Sequence, residues 1–389
     1  EVYGKSVIPN IIYITRINKN VNSGFLYVLG MPLRDLADEW LGFYLNNYIE
    51  YEEYGKIPDD GKVIKRPKKR TVYLQAKISP DGNYIAYASN KLGRYKIYLY
   101  DTRTGKTKKL EKDGHAIEQI TDFSYPILAW HPSGRILTWI IEEQGEIRLV
   151  YYDLDLKEFT SRIFVYYEKI LDFDYSDDGL KFVISGVSKG QTDIYVHNIA
   201  SGSNERITND IADDFHPRFI NNSTEIVFTS NRSNDTLYIA SAESKTLPVH
   251  SVYIYDYANK SDVLKRITNN EYSDSYEPFS TRKNRFVYLS NKSGIINRYF
   301  ATYDSAIAFI DTTIHYRYFS RSYPITNYRR NIIEHSVIPE TGDYSELVYH
   351  DGKYQVYHGN LSNEDNVSDD LRVTPFSEEF FSGLQEKDS

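Results

Sequence analysis

Six segments of this chain can be laid over one another, and that internal repeat limits the possible folds more than any other feature. The clearest copy opens on the turn Ser79-Pro80-Asp81-Gly82 and continues through Asn83–Ser89 (NYIAYAS), a break, Tyr95–Tyr100 (YKIYLY), a turn at Asp101–Gly105, and Lys106–Leu110. His131-Pro132-Ser133-Gly134 and Ser176-Asp177-Asp178-Gly179 open the next two copies. The fourth runs from TEIVFTSNR (224–232) through SVYIYDY (251–257) to Lys265-Arg266-Ile267-Thr268. NRFVYLSNK (284–292) marks the fifth, and ELVY (346–349) with YQVYHGNL (354–361) the sixth. Aligned on Gly82, Gly134, Gly179, Ser223, Lys283 and Tyr344, the copies lie 52, 45, 44, 60 and 61 residues apart. That is the ~40–45-residue period of a four-stranded propeller blade, with extensions between blades one and two and in blades four and five.

Within each copy apolar and polar residues alternate, as in strands with one buried face, and Gly, Asn, Asp and Pro punctuate them. A single four-stranded unit cannot cover both of its faces, whereas six in a ring can. The prediction is an all-β, six-bladed β-propeller of four-stranded blades over residues 71–376. Aromatic content agrees: 37 Tyr and 18 Phe against 3 Trp and 1 Met favour half-buried sheet.

Ahead of the ring, Leu33, Leu36, Trp40, Phe43 and Tyr44 recur at helical spacing within Pro32–Tyr54, which predicts an amphipathic helix. Acidic Glu50, Glu52, Glu53, Asp59 and Asp60 then give way to basic Lys62, Lys65, Arg66, Lys68, Lys69 and Arg70, with Pro58 and Pro67 between them. This charge reversal reads as a solvated linker. The expected organisation is a helical segment at 1–55, a linker at 56–70, the propeller, and a tail at 377–389. The chain opens on Glu1 rather than Met, which suggests processing or a longer protein.

The absence of Cys excludes disulfides, thiolate metal sites and a Cys nucleophile from this sequence. A net charge of −8 argues against a nucleic-acid partner, because the phosphate backbone demands a concentrated positive surface. No apolar run reaches the ~18 residues of a membrane span.

SPDGNYIAYAS, YKIYLYDTRTGKTKKL and NERIT resemble the repeats of TolB-type propellers across roughly residues 71–376. The chain is further similar to long TolB-like envelope proteins of Bacteroidota, in which a peptidase-like α-helical domain precedes the propeller. Gly30-Met31-Pro32-Leu33 with Asp38-Glu39-Trp40 is similar to the end of such a domain. The zinc motif of that domain, His-Glu-x-x-His, is absent, so the resemblance places any catalytic part upstream or implies its loss. It also implies a periplasmic location and association with outer-membrane assemblies.

Several residues invite a chemical reading. Gly186-Val187-Ser188-Lys189-Gly190 matches the nucleophile-elbow pattern, but that motif needs a helix after it, and here a strand-like stretch follows. It is read as a hairpin turn. Asp213, Asp214 and His216, and then Asp274 and Glu277, precede blades four and five, where loops converge on a propeller's channel. They are candidates for an ion or a basic peptide, or for ordinary turn capping. The blade-five extension concentrates Tyr316, Arg317, Tyr318, Arg321, Tyr323, Tyr328, Arg329 and Arg330. Tyr and Arg anchor protein interfaces, although the same alternation also suits a strand with one packed face. Ser233–Val249 reads as a polar excursion in blade four. Asp235-Thr236-Leu237, Asp304-Ser305-Ala306 and Asp311-Thr312-Thr313 resemble an O-glycosylation signal of exported Bacteroidota proteins.

No coherent catalytic set, cofactor or metal site emerges. The expected role is a non-catalytic, protein-binding scaffold in the periplasm, docked on an outer-membrane complex. The alternative is the accessory propeller of a metallopeptidase.

Overall fold

The computed structural model describes residues 3–114, 122–237, 246–269, 272–282, 284–310, 314–361 and 371–385. The chain divides into two compact units, 1–55 with 374–389, and 56–373.

The larger unit is a six-bladed propeller of antiparallel sheets. Blade one is β1–β4 (Val72–Ile78, Tyr84–Lys91, Arg94–Asp101, Lys106–Asp113), and blade two is β5–β8 (Ile127–Trp130, Ile136–Glu143, Glu146–Asp153, Glu158–Ile163). Blade three is β9–β12 (Lys169–Tyr175, Lys181–Ser188, Gln191–Asn198, Asn204–Arg206), and blade four is β13–β16 (Asp214–Ile220, Glu225–Ser230, Ser251–Asp256, Lys265–Arg266). Blade five is β17–β20 (Ser275–Arg282, Arg285–Ser290, Asn297–Ile310, Ile314–Pro324); β21–β23 (Ile332–Val337, Asp343–His350, Lys353–Asn360) supply three strands of blade six.

In blade six the place of a fourth strand is taken by a short bridged segment from the other end of the propeller. Val63 N–H donates to the Val356 carbonyl at 2.9 Å and His358 N–H to that of Gly61 at 2.9 Å, with an antiparallel bridge at Lys62–Tyr357. Gly61 has φ +68°, and any side chain there would run into the His358 carbonyl, so this close approach requires glycine. The charge pattern of 56–70 reads as a linker; within it Lys62 bridges to Tyr357, and Val63 and Ile64 are buried.

The same turn chemistry starts successive blades. In blade one, Asp81 accepts from Ser79 Oγ at 2.6 Å and from Asn83 N–H at 3.1 Å, and Gly82 sits at φ +70°. In blade three, Ser176 Oγ donates to Asp178 at 2.5 Å and Gly179 takes φ +71°.

The buried apolar residues gather in the seams rather than around the axis. Trp139, Leu128, Ile97 and Ala88 join blades one and two; Phe173, Phe182, Ile127 and Leu149 join two and three. Ile194, Phe228 and Tyr253 join three and four, and Val252, Ile267 and Phe286 join four and five. Blades five and six meet through Val287, Phe300 and Val337, and six meets one through Leu347, Val356, Ile85 and Val63. Each blade thus buries both faces only because it has two neighbours.

The smaller unit holds α1 (Val7–Asn18), α2 (Val21–Leu29), α3 (Leu33–Tyr54) and α4 (Pro375–Gln385). The helix predicted at Pro32–Tyr54 corresponds to α3. α1, α2 and α4 lie where no element was expected. Asn20 caps α2 by accepting from Ser23 N–H at 3.3 Å, and Gly30 ends it at φ +74°. No described helix is long and apolar enough to cross a membrane.

Candidate functional site

The first strand of each blade faces the axis, and in five of them a bulge breaks the ladder: β1, β9, β13, β17 and β21. At three of these bulges a non-glycine residue takes a left-handed backbone, Gln75 (φ +58°), His216 (φ +51°) and Glu277 (φ +50°). Such a bulge re-aims a side chain and leaves amides outside the ladder. Amides of the first strands are met from the neighbouring blade. Gln75 Oε1 accepts from Leu128 N–H at 3.0 Å, Glu277 Oε2 from His335 N–H at 2.8 Å, and Glu334 Oε1 from Ala76 N–H at 2.7 Å. The Tyr125 hydroxyl accepts from Ile170 N–H at 3.0 Å in the same manner. The channel wall is therefore latched across four seams: one to two, two to three, five to six, and six to one.

Charge of both signs lines this wall. Arg218 of β13 contacts Asp172 of β9 at 2.7 Å and Asp174 at 3.8 Å. Burial opposes ionisation of Asp172, yet Arg218 and then Lys77 hold its carboxyl below the usual range. Asp174 goes the other way: burial raises it to about 6 against the pull of Arg218. Burial likewise drives the Glu277 carboxyl up to about 8, opposed by Lys77, and raises that of Glu334. His216 is pushed down to about 4 by burial. At one end the channel widens into a cavity of about 710 Å³, lined among others by Lys77, Asp174, Arg218, Phe279, Pro80 and Glu340. Its mouth is formed by the turns between the first two strands of the blades.

The five residues singled out near the channel divide between two settings. His216 and Glu277 occupy the bulges. Asp214 lies away from solvent, pairing with Arg232 at 3.0 Å, where both side chains are 0% exposed. Asp213 and Asp274 hold equivalent turns: the amide of each donates at 2.9 Å to an asparagine of its own blade, Asn231 and Asn291 respectively. Asp274 also accepts from His250 N–H at 2.9 Å. Among the described residues no three His, Asp or Glu converge as metal ligands. Gly186–Gly190 is the β10–β11 hairpin, in which Ser188 pairs with Gln191 around the left-handed Lys189 and Gly190.

Sequence reading missed Lys77, Asp174 and Arg218, although a signal was available. Counting back five positions from the aligned residues Gly82, Gly134, Gly179 and Ser223 gives Lys77, Ala129, Asp174 and Arg218, one column of the repeat.

The second candidate surface is the blade-five hairpin. β18 pairs with β19 only from Asn297 to Thr302, while β19 continues with β20 alone as far as Ile310–Ile314. Beyond Thr302 the two strands form a ribbon outside the blade, roughly 25 Å long at ~3.3 Å per residue. Tyr303 and Tyr318 stack at 5.7 Å with an interplanar angle of 6°, leaving Tyr318 59% exposed and Tyr323 43% exposed. Arg321 is exposed and lies over Phe319. Tyr316 and Arg317 face Ile307 and Ala306 in the ladder, and their side chains lie outside the described set. Tyr328, Arg329 and Arg330 are half-buried below the ribbon. There Arg329 N–H donates to the Lys56 carbonyl at 3.0 Å, and the Tyr328 hydroxyl to Glu346 at 2.9 Å. In the blade-four excursion, Asp235 meets Arg266 at 2.7 Å and Leu237 is buried, while 238–245 lie outside the described residues, as do Asp311–Thr313.

The chain matches no known protein-family model, and no curated protein matches it. Among solved structures it is similar to TolB from Acinetobacter baumannii, at 18% identity and a TM-score of 0.46, covering 59% of this chain and 52% of that one. The chain thus spans about half the length of that protein. It is similar to a putative TolB from Agrobacterium tumefaciens, at 16% identity, a TM-score of 0.45 and coverage of 74% and 89% respectively. The β-propeller domain of the Trilobed protease from Pyrococcus furiosus matches at 13% identity with a TM-score of 0.45, covering 80% of this chain and 99% of that domain.

Proposed function

We propose that this propeller is a non-catalytic protein-binding subunit that docks a partner polypeptide through the ribbon of blade five. The observation that carries the reading is the exposed Tyr318 on a ribbon that stands clear of its blade, with Arg321 and Tyr323 exposed on the outer strand at its base. Two-stranded ribbons gain little stability from their own pairing, so one this long is best accounted for by what it contacts. Tyr and Arg are the residue types that most often dominate binding energy, because they combine a large, rigid area with directed hydrogen bonds. The setting, a periplasmic scaffold on an outer-membrane complex, rests on the Bacteroidota resemblance alone.

The test is affinity capture with the tagged chain from solubilised envelopes, repeated with Tyr318, Arg321 and Tyr323 all replaced by Ala. A hot-spot residue is worth about 2 kcal/mol or more, roughly thirtyfold in Kd, so a true partner should be lost in the variant. Equal recovery by both proteins rejects the ribbon as the docking site. Chelator-sensitive peptide cleavage by the full-length gene product would favour the accessory role in a metallopeptidase instead.

A further inference from the structure

We propose that the inner edge of the same ribbon joins two copies of this chain: residues 305–310 of β19 pair antiparallel with their counterparts, merging two hairpins into one four-stranded sheet. The surface is distinct from Tyr318, Arg321 and Tyr323 and does not depend on their role.

The open edge is a matter of backbone bonding. Tyr303 N–H donates to the Asn284 carbonyl at 3.0 Å, and beyond it nothing among the described residues pairs with β19 on that side. Amides alternate along a strand, so those of Ser305 and Ile307 face the same way as that of Tyr303, ahead of the bulge between Ile307 and Phe309. Ser305 N–H is instead met at 2.8 Å by the carboxylate of Asp304 beside it, as suits an amide with no strand opposite.

Charge decides which edge pairs. Ser305-Ala306-Ile307-Ala308-Phe309-Ile310 carries no charge, proline or glycine, whereas β20 along the other edge carries His315, Arg317 and Arg321. Exposed edge strands are normally blunted by charge, proline or a bulge, and an uncharged six-residue run of high β-propensity is the composition that seeks another strand. The complement that leaves no charge unpaired is an equally neutral strand, and a second copy supplies one by two-fold symmetry. The bulge shifts the outward amides from odd-numbered residues ahead of it to even-numbered ones beyond it. Centring the two-fold on Ile307 therefore sets Ser305 against Ile310 and Ala306 against Phe309, so every residue in the paired stretch is neutral. One added strand pair is a small interface, so dissociation is expected on the order of 10–100 µM.

Sedimentation velocity on the full chain, from about 5 to 200 µM, should show a reversible monomer–dimer equilibrium. The chain has no native cysteine, so single cysteines report proximity cleanly. Under mild oxidation Ile307→Cys should form disulfide-linked dimer at least tenfold faster than Tyr323→Cys. Ile307→Pro removes an amide that does not bond to β20 and should weaken the dimer at least tenfold while the propeller keeps its circular dichroism. A monomer at every concentration, equal rates for the two cysteines, or a dimer indifferent to Ile307→Pro would each overturn the proposal.

Discussion

Glu277→Gln isolates the most perturbed carboxyl of the channel wall. Glutamine keeps the oxygen that accepts from His335 N–H, so the latch between blades five and six survives while ionisation is removed. The folded-state value is raised from 4.5 to about 8, which means the native protein binds a proton that the unfolded chain has released. The stability so contributed is full below pH 4.5 and is lost as pH rises through 8. Integrating the linkage relation for these two values, the contribution falls by about 2 kcal/mol between roughly pH 6.5 and 8.5. Histidines held low by burial, His216 among them, contribute the opposite slope below pH 7, but they are common to both proteins and cancel in the difference. Melting wild type and variant across that range, followed by circular dichroism, should therefore show the variant gaining on the wild type by roughly 4 °C as pH rises. A constant difference in Tm at every pH would mean that Glu277 is ionised in the fold and paired with Lys77, and the account of a proton-retaining channel would fail.

Three further outcomes follow from the packing. Trp139→Ala empties the seam between blades one and two, where Trp139 is 1% exposed, and should cost ~3–5 kcal/mol in denaturant titration. Arg298→Met removes the cation that Glu346 meets at 2.5 Å, with both side chains 0% exposed, and should destabilise by ~3–5 kcal/mol, whereas Arg298→Met with Glu346→Leu should recover most of the loss. Gly61→Ala forces a left-handed alanine against the His358 carbonyl; amide exchange at Val63 and His358 should quicken by at least tenfold while the amides of β10 and β11 stay protected.

The blades were legible because their turns obey local chemistry. Ser79-Pro80-Asp81-Gly82 and its counterparts announce a reversal, and the strands that follow alternate, so both the ring and the hairpin at Gly186–Gly190 could be read residue by residue. The ring closure was not legible, because Gly61–Val63 sits among lysines and prolines and is held only by pairing with residues nearly three hundred positions away. The channel charges were obscured for a related reason: Lys77, Asp174 and Arg218 look like the polar half of ordinary alternation until the blades are superimposed. Of the blade-five cluster, residue type singled out Tyr318 and Tyr323 but could not separate them from Tyr328, whose hydroxyl is committed to Glu346.

The borrowed segment of blade six also fixes where this propeller can be cut. A protein begun at residue 71, at the start of the first recognisable repeat, would retain all six repeats yet lack Gly61–Val63 and the buried Val63 and Ile64. Its last sheet would end on β23 with a bare ladder, and the seam between blades six and one would lose part of its apolar filling. Such an arc behaves less like a shortened ring than like a sticky-ended filament unit, prone to recruit a strand from any neighbour. Starting the propeller at residue 56 keeps the clasp, and the difference between the two fragments in solubility is a direct measure of how far this fold depends on being a circle.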